Sequence, residues 1–501
     1  MVYNMKKYVL FRLLRATISI VVVTTIIYAL IFSLIPRRNI FTSDEQYARV
    51  AGKADPRREY ENVTYERQGY IDYLSQKELI AKLKATAPNF DGTDTKENLA
   101  AAKAWAKSAK GDWKIEQMPT SKTIYATKEI PIWQRVGKFY ANLIQIDHPW
   151  KIQDKSNPDL KRYLKFTADK SGGPALIGSG TKYKYLIYFD GHFPFIHQNI
   201  ITLNLGQSYP TFSGRAVTEV LTSGQGETVT REITLPDGKT MKTSMDIHSA
   251  TYQSPKNQSS RMKRIFKDDY TNVKNVYTDP SMIGNSLRIG VVGVILAYLI
   301  AIPIAILLSR YAGKLIDRLG LIFITALIAL PSLAVIYTDR FVGSLFGLPD
   351  SFTTFGASEV KSYILPTIIL ALLNVPTLTM WIRRYMIDQQ SSDYIKFARA
   401  KGLSEKEISQ KHILKNAMIP ISNGIPSAII AMVAGATMTE SIFLMPGMGK
   451  MLPDAIKAHN NPMVIGITFI LTSLAVIAVL LGDLLMQVID PRIQLSSKGG
   501  K

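Results

Sequence analysis

Three ionisable side chains lie within runs of sequence that are otherwise apolar enough to cross a membrane. They are Arg288, Glu440 and Asp483. A charge at the centre of a bilayer costs about 3 kcal/mol or more, so such residues are functional candidates. Arg288 and Glu440 fall near the outer ends of their predicted spans, where snorkelling or a mutual ion pair is the alternative explanation. Asp483 is expected to cap a helix or to pair within a bundle.

The motifs of catalysis and nucleotide binding are absent from the sequence. No loop of the Gly-x-x-x-x-Gly-Lys-Ser/Thr type, no Gly-x-Ser-x-Gly elbow and no His-Glu-x-x-His helix occurs. His192 and His197 are close in sequence, but they lack a third ligand at suitable spacing, so aromatic packing is favoured over a metal site. Cysteine is absent, which excludes disulfides and thiolate sites. We therefore predict no catalytic residue, metal or cofactor in this chain.

Residues 383–420, between two apolar runs, predict a helix, a bend and a second helix. Tyr394, Phe397 and Ala398 fall at i, i+3 and i+4, which gathers them on one face of the first helix. Gly402 stands where the C′ residue of a helix adopts a left-handed conformation. Such a surface between two spans suits docking of a partner better than chemistry.

The second helix of this stretch has its own start signal. Ser404 and Glu407 have the spacing of a capping box, and the segment runs on to Pro420. The apolar residues expected along one side of this helix, together with a histidine, are Ile408, His412, Ile413 and Ala417.

Runs of about 20 mostly apolar residues predict the membrane spans. The six candidate spans are 16–35, 289–308, 319–337, 364–382, 421–445 and 464–488. Buried helices of a soluble core are disfavoured, because these runs are long and nearly free of charge.

Small residues at steps of four in the fifth span form a stripe that lets another helix approach closely. They are Ser427, Ala431, Gly435 and Thr439. Prolines also interrupt several spans and are candidates for bends. They are Pro303, Pro331, Pro376 and Pro426.

The net charge of +21 is spread around the spans rather than concentrated in one basic block with interleaved aromatics. Nucleic-acid binding is therefore disfavoured. Basic residues precede the first span, lie between the second and third, and crowd the segment after the fourth. The positive-inside rule puts these segments and both termini in the cytoplasm, and long translocated domains are exempt from it. The N-terminal apolar run is too long for a cleaved signal peptide, so we expect a retained anchor.

Residues 37–281 change to a polar, aromatic, lysine-rich composition that predicts a folded α+β domain outside the membrane. Within it, helices are predicted over 70–84 and 97–110, and a strand over 183–189. Two β-prone runs joined by Pro236-Asp-Gly238 predict a hairpin over 228–245.

The predicted fold is thus an α-helical integral membrane protein with six transmembrane helices and an α+β extracellular domain between the first and second. The predicted division is 1–36 for the cytoplasmic N-terminus and first helix, 37–281 for the extracellular domain, 282–494 for a five-helix membrane domain containing the loop 383–420, and 495–501 for a cytoplasmic tail.

Residues 393–420 resemble the cytoplasmic signature loop of ABC importer permeases, which reads Glu-Ala-Ala, three residues, Gly, nine residues, Ile, one residue, Leu-Pro. Lys396-Phe-Ala398 stands at the Glu-Ala-Ala position, Gly402 matches the glycine, and Met418-Ile-Pro420 replaces the end. The acidic residue is absent. The segment Ala398-Arg-Ala-Lys-Gly402 is similar to the corresponding segment of the peptide-transporting subgroup, in which that glutamate is commonly missing.

Three further segments are similar to the same family. They are Glu440-Ser-Ile-Phe-Leu-Met-Pro-Gly-Met-Gly449, the ending Val488-Ile-Asp-Pro-Arg492, and Leu203-Asn-Leu-Gly-Gln-Ser208. The resemblance covers 6–36 and 282–494. By it the chain is identified as a member of the oligopeptide importer permeases, most similar to the Gram-positive form with a long extracellular domain.

The resemblance implies the type I ABC importer permease fold and a set of partners in the plasma membrane. These partners are a second permease subunit, two cytoplasmic ATPase subunits that hydrolyse ATP, an extracellular lipid-anchored peptide-binding protein, the peptide substrate and membrane lipid, with no nucleic acid. The residues expected to contact an ATPase are Tyr394, Phe397, Ala398, Gly402 and Leu403, with Lys396, Arg399 and Lys401 as a charged rim.

The alternative is a membrane-anchored enzyme or sensor whose activity lies in the extracellular domain. One or two spans would suffice for an anchor, and no nucleophile and base pair is recognisable in that domain. Six spans and the loop 383–420 therefore favour the transporter.

Overall fold

The computed structural model describes residues 2–151, 160–169, 173–191, 194–235, 238–254, 257–266, 268, 270 and 272–489. His192, the Pro236-Asp237 part of the predicted turn, the end of the C-terminal motif from Asp490 and the tail 495–501 lie outside the described residues.

The chain consists of a long first helix, a mixed part of helices and strands, and a helical remainder. The helices are α1 Val2–Leu34, α2 Glu45–Val50, α3 Ala54–Arg67, α4 Gln76–Leu83, α5 Lys96–Ser108, α6 Ile132–Leu143, α7 Val217–Thr222, α8 Ser260–Phe266, α9 Met282–Arg310, α10 Leu315–Ala329, α11 Ser332–Leu345, α12 Lys361–Gln390, α13 Asp393–Ala400, α14 Glu405–Glu407, α15 Leu414–Gly435, α16 Thr437–Ile442, α17 Met448–Lys457 and α18 Asn461–Ile489. The strands are β1 Ile71–Leu74, β2 Trp113–Gln117, β3 Ile124–Glu129, β4 Ile144–Ile146, β5 Leu164–Asp169, β6 Gly173–Gly178, β7 Tyr185–Phe189, β8 Ile196–Gln198, β9 Ile201–Leu203, β10 Gln225–Thr228, β11 Arg231–Thr234, β12 Thr240–Thr243, β13 Met245–Thr251, β14 Asn272–Asn275 and β15 Tyr277–Asp279.

The part of the chain between α1 and α9 is built around two antiparallel sheets. One has the strand order β1-β3-β2 and is covered by α4 and α5, with Leu79 and Leu83 fully buried. The other has the order β5-β6-β7-β8, and Tyr185 from this sheet packs with Ile247 of β13. This arrangement of helices and sheets is the α+β class.

One predicted helix of this region is wrong in its first half. Residues 70–84 begin as β1, in which Ile71 and Tyr73 are buried and alternate with half-buried neighbours. The helix starts only at Gln76, where Ser75 and Glu78 form a capping box that ends the strand. The predicted strand over 183–189 is confirmed as β7, the helix over 97–110 as α5, and the hairpin as β11 paired with β12.

Five helices are long and apolar enough to cross a membrane within the described residues, and a bent pair makes up to six. The five lie at Leu10–Leu34, Met282–Arg310, Lys361–Gln390, Glu405–Ile442 and Asn461–Ile489. The predicted third span is not one helix, because α10 and α11 meet at an angle of 103°.

Pro331 accounts for this break. It has no N–H to continue the helix, and it disfavours the helical conformation of the residue before it. Leu330 is accordingly extended, with φ −69° and ψ 135°. Pro303, Pro376 and Pro426 lie inside continuous helices. Of these four prolines, only Pro331 breaks a helix.

The segment after β9 joins the part of the chain between α1 and α9 to the membrane helices. Leu205 and Val217 are buried against Met448 of α17 and Ile467 of α18. At the same junction the Asn460 side chain donates a hydrogen bond to Ser208 Oγ at 2.8 Å. The part between α1 and α9 and the membrane helices thus share one core.

Candidate functional site

The bend at Gly402 ends helix α13 with a Schellman motif. The Leu403 N–H donates to the Ala398 carbonyl oxygen at 3.3 Å. The Gly402 N–H donates to the Arg399 carbonyl oxygen at 2.9 Å. These two bonds satisfy carbonyls that a helix end leaves free. Gly402 has a φ of +77°, so the predicted left-handed position of the glycine is confirmed.

The second helix of the loop starts at the predicted capping box. Glu407 N–H donates to Ser404 Oγ at 3.3 Å, and Ser404 N–H donates to Glu407 Oε2 at 3.4 Å. The helix then widens into a π-helical turn at Ile408–Ile413 and continues as α15 through Pro420. Residues 405–442 form one apolar candidate span of 38 residues, so the second helix of the loop and the next membrane helix are one element.

The loop is anchored on α9 and α12 by an apolar core. Ile395 and Ile408 come from opposite sides of the bend, and both are fully buried in this core. The other buried members are Ala301, Ala305, Ile382, Met386, Ala398, Ile413, Ala417 and Ile421. Because interiors are close-packed, the loop is expected to move with the ends of these helices as one body.

The structure separates the residues predicted to contact an ATPase. Ala398 is 6% exposed and belongs to the core of this chain, whereas Phe397 is 69% exposed. Tyr394 and Leu403 are half-buried at the edge of the core, and Gly402 is exposed. The exposed face of α13 is therefore formed by Phe397 and its charged neighbours, and the buried face by Ala398 and Ile395. The sequence signal for Ile395 was its i, i+3 spacing from Ala398.

Charged side chains flank Phe397, and their predicted role as a rim for ATPase contact stays a prediction. Arg399 donates to Glu405 across the bend, from Nε to Oε1 at 2.8 Å and from Nη2 to Oε2 at 3.3 Å. Lys396 Nζ lies 2.8 Å from Asp393 Oδ1, and Lys401 is exposed. Exposed pairs of this kind contribute about 0–1 kcal/mol each, so they shape the surface more than they stabilise it.

A buried ion pair that the sequence analysis missed fixes the base of the loop. Arg383 Nε and Nη2 donate to the two carboxylate oxygens of Asp317, each at 2.6 Å. The Gly313 N–H donates to Asp317 Oδ2 at 2.8 Å. The pair links the start of α10 to the end of α12. The two residues are 66 positions apart, and no local pattern in the sequence indicates their contact.

Glu440 is completely buried at the opposite end of the membrane helices. Ser286 Oγ donates to its Oε1 at 2.6 Å, and the Lys450 N–H donates to its Oε2 at 2.8 Å. Ser286 Oγ in turn accepts a hydrogen bond from the Met448 N–H at 2.8 Å. The carboxylate thereby connects α9, α16 and α17.

The other two ionisable candidates have separate partners. The Arg288 guanidinium lies 5.8 Å from the centre of the Tyr363 ring, which is a cation–π contact. The ion pair with Glu440, one of the alternatives expected from the sequence, is not formed. Asp483 Oδ2 lies 2.8 Å from Arg12 Nη2, which joins α18 to the first helix. The expectation that Asp483 pairs within the bundle is confirmed.

The small-residue stripe of the fifth predicted span is not a continuous packing face within this chain. Ala431 and Gly435 are exposed, Ser427 is half-buried and Thr439 is buried. A Cβ on Gly435 would meet no other atom within 4 Å. The close approach of another helix to this stripe stays a prediction.

No group of three or more His, Asp or Glu side chains that could hold a metal ion occurs in the part of the chain that the structure describes. His197 stacks on Tyr188 with ring centres 5.1 Å apart, and its Nε2 lies 3.1 Å from Asp190 Oδ1.

Sequence comparison with known proteins identifies the family of this chain. The family model described as "Binding-protein-dependent transport system inner membrane component" matches residues 301–495. The oligopeptide transport system permease protein AmiC of Streptococcus pneumoniae is 50% identical to this chain over 503 residues, covering 99% of this chain and 100% of that protein. The chain belongs to the binding-protein-dependent transport permeases. The family resemblance predicted from the sequence is thus confirmed.

Other relatives match a smaller share of the permease. The oligopeptide transport system permease protein AppB of Bacillus subtilis is 31% identical over 221 residues, covering 42% of the permease and 69% of that protein. The inward-facing MetNI methionine ABC transporter aligns with 41% of the permease and 93% of that chain, at 16% identity and a TM-score of 0.33, which is too low to establish a shared fold.

Family membership fixes the class of this molecule. The permease is a multi-pass membrane component of an ABC importer, with the helical type I importer permease fold and several apolar helices. ATP hydrolysis and substrate binding in such systems belong to partner proteins. The permease is therefore a transporter subunit and not an enzyme.

Proposed function

We propose that the permease forms the translocation pathway of an ATP-driven oligopeptide importer together with a second permease subunit. Its identity of 50% to a protein named as an oligopeptide transport permease extends over 99% of the chain, including the long segment between α1 and α9. This agreement over the whole chain supports the same substrate class for the permease.

The proposed topology has six spans, with α10 and α11 counted as one bent span. Residues 37–281 then lie outside the cell, and both termini, the tail 495–501 and the loop 383–420 lie in the cytoplasm. The basic residues next to α1, between α9 and α10 and in the loop favour this orientation over its inverse.

The observation that carries the coupling role is the division of α13 into a buried and an exposed face. Ile395 and Ala398 hold the helix to α9 and α12, while Phe397 projects away from the permease. Aromatic side chains are enriched in protein interfaces, so Phe397 on a helix held in place by its other face suits a docking role. Two ATPase subunits would each bind one such loop, one on each permease of the heterodimer, and closure of the ATPase pair would move α13 and α15 together.

The outer domain would dock an extracellular lipid-anchored peptide-binding protein. Its core is continuous with α17 and α18 through Leu205 and Val217. A partner bound to the domain could therefore act directly on the outer ends of the membrane helices.

The chain contains no cysteine, so introduced cysteines allow a direct test. Phe397→Cys should crosslink to an ATPase subunit and resist a membrane-impermeant maleimide added to intact cells. Phe166→Cys is the matched control, since Phe166 is 67% exposed on β5 of the outer domain. It should react with the maleimide and form no ATPase crosslink. Reaction of Phe397→Cys from outside, without a crosslink, would overturn both the orientation and the docking role.

A further inference from the structure

A cavity of about 680 Å³ lies where the outer part of the chain meets the ends of the membrane helices. Its walls come from residues 43–46 at the start of α2, from the loop 210–213, from residues 444–447 and from α17. Its volume falls within the range of about 300–1,000 Å³ that is typical of ligand sites. The motifs recognised in the sequence explain the loop in the cytoplasm but give this cavity no role.

Four methionines stand around the cavity, of which Met282 is half-buried at the wall and the other three are buried in the core directly behind it. They are Met282, Met445, Met451 and Met463. Methionine is flexible and polarisable, so a wall backed by methionines can adapt its shape. A lining of this kind suits a ligand class with variable side chains rather than one fixed molecule.

Charged side chains of both signs add a polar component to the cavity. Glu45 and Asp454 are exposed and come from two different walls, and Lys450 lies one helical turn before Asp454 on α17. Asp44 also lines the cavity, but its carboxylate already accepts hydrogen bonds from the Tyr60 hydroxyl at 2.7 Å and the Gln46 N–H at 2.9 Å. Glu45 and Asp454 are therefore the carboxylates best placed to bind an arriving cation.

We propose that this cavity is a transfer site that holds the amino-terminal part of a peptide on its way from the binding protein to the membrane path. Glu45 and Asp454 would bind the peptide's terminal ammonium, and the exposed apolar side chains of Phe212 and Leu444, backed by the methionines, would accommodate its first side chains. This inference rests on the proposed function and adds to it a residue-level selectivity of the permease itself.

The test compares a peptide with a free amino terminus and the same peptide N-acetylated. The complete transporter, with its ATPases and binding protein, is reconstituted in proteoliposomes, and transport is measured per loaded binding protein after the affinity of that protein for each peptide is determined. The variant E45Q/D454N is expected to lower transport of the free-amine peptide about tenfold, because charge-assisted hydrogen bonds are lost, and to leave the acetylated peptide within about twofold of its original rate.

The control Glu232→Gln removes an exposed carboxylate on β11, away from the cavity lining, and should change neither rate. Equal loss of both peptides in E45Q/D454N, with a higher half-saturating concentration of binding protein, would assign the cavity to protein docking and overturn the proposal. Failure of the unaltered transporter to move either peptide would instead refute the proposed function.

A second variant tests the site by its volume. Ser213 is exposed at the cavity wall, so Ser213→Trp adds bulk there without disturbing buried packing. It should slow transport of peptides with large amino-terminal side chains more than that of glycine-rich peptides of equal length. The same slowing for both peptide sets would contradict a role for the cavity in peptide transfer.

Discussion

The carboxylate of Glu440 occupies the space that a side chain at position 447 would need. A Cβ built on Gly447 would overlap both the Glu440 carboxyl carbon and its oxygens. The buried carboxylate, the bonds from Ser286 and Lys450, and the glycine therefore form one interlocked unit. This explains why a charged residue and a glycine stand together in the segment Glu440–Gly449.

Gly447→Ala should therefore destabilise the permease by about 1–3 kcal/mol, because overpacking forces the buried carboxylate off its hydrogen bonds. Gly435→Ala is the matched control, since a Cβ there would meet no other atom within 4 Å. Thermal unfolding in detergent should show a lower midpoint for Gly447→Ala and no decrease for Gly435→Ala. Equal midpoints for the two variants would rule out the interlocked arrangement.

Gly402→Val should uncouple ATP hydrolysis from peptide uptake while leaving membrane insertion intact. A β-branched residue resists the φ of +77°, at a cost of about 1–2 kcal/mol or more, and the strain would shift α13 relative to α15. The measurement is the ratio of ATP hydrolysed to peptide transported in proteoliposomes.

Gly402→Asn serves as the control for this position, because asparagine tolerates the left-handed region and no neighbouring atom lies near the new Cβ. It should keep a ratio close to the original. If valine and asparagine gave the same ratio, the left-handed bend would not be the feature that couples the two activities.

Asp317→Asn should strongly destabilise the base of the loop, by about 3–5 kcal/mol, since it leaves the Arg383 guanidinium partly buried without its anionic partner. Glu405→Gln breaks the pair with Arg399 at the exposed bend, where both side chains face solvent, and should cost about 0–1 kcal/mol. Thermal unfolding of the two variants in detergent gives the comparison. A smaller effect for Asp317→Asn than for Glu405→Gln would contradict the structural role of the buried pair.

Two substitutions on α13 separate stability from docking. Ile395→Ala should lower stability by about 2–5 kcal/mol, because Ile395 is completely buried. Phe397→Ala should leave unfolding unchanged but reduce the amount of ATPase subunit that co-purifies, since its side chain is exposed. Full retention of the ATPase by Phe397→Ala would argue against this face as the docking surface.

The sequence by itself determined the features that depend on neighbours along the chain. Gly402 and the Ser404–Glu407 capping box could be predicted because helix ends have local chemical requirements. The apolar runs and the β11–β12 hairpin could be predicted for the same reason, since length, periodicity and turn residues are local properties.

Only the tertiary structure decided which face of α13 is buried, because Tyr394, Phe397 and Ala398 satisfy the same periodicity whichever neighbour they pack on. It also decided that 71–74 pairs as a strand and that Asp317 meets Arg383. The hydrogen bond between Glu440 and Ser286 likewise joins residues that are 154 positions apart. These contacts depend on the path of the chain between distant segments, and a pattern within one segment carries no information about that path.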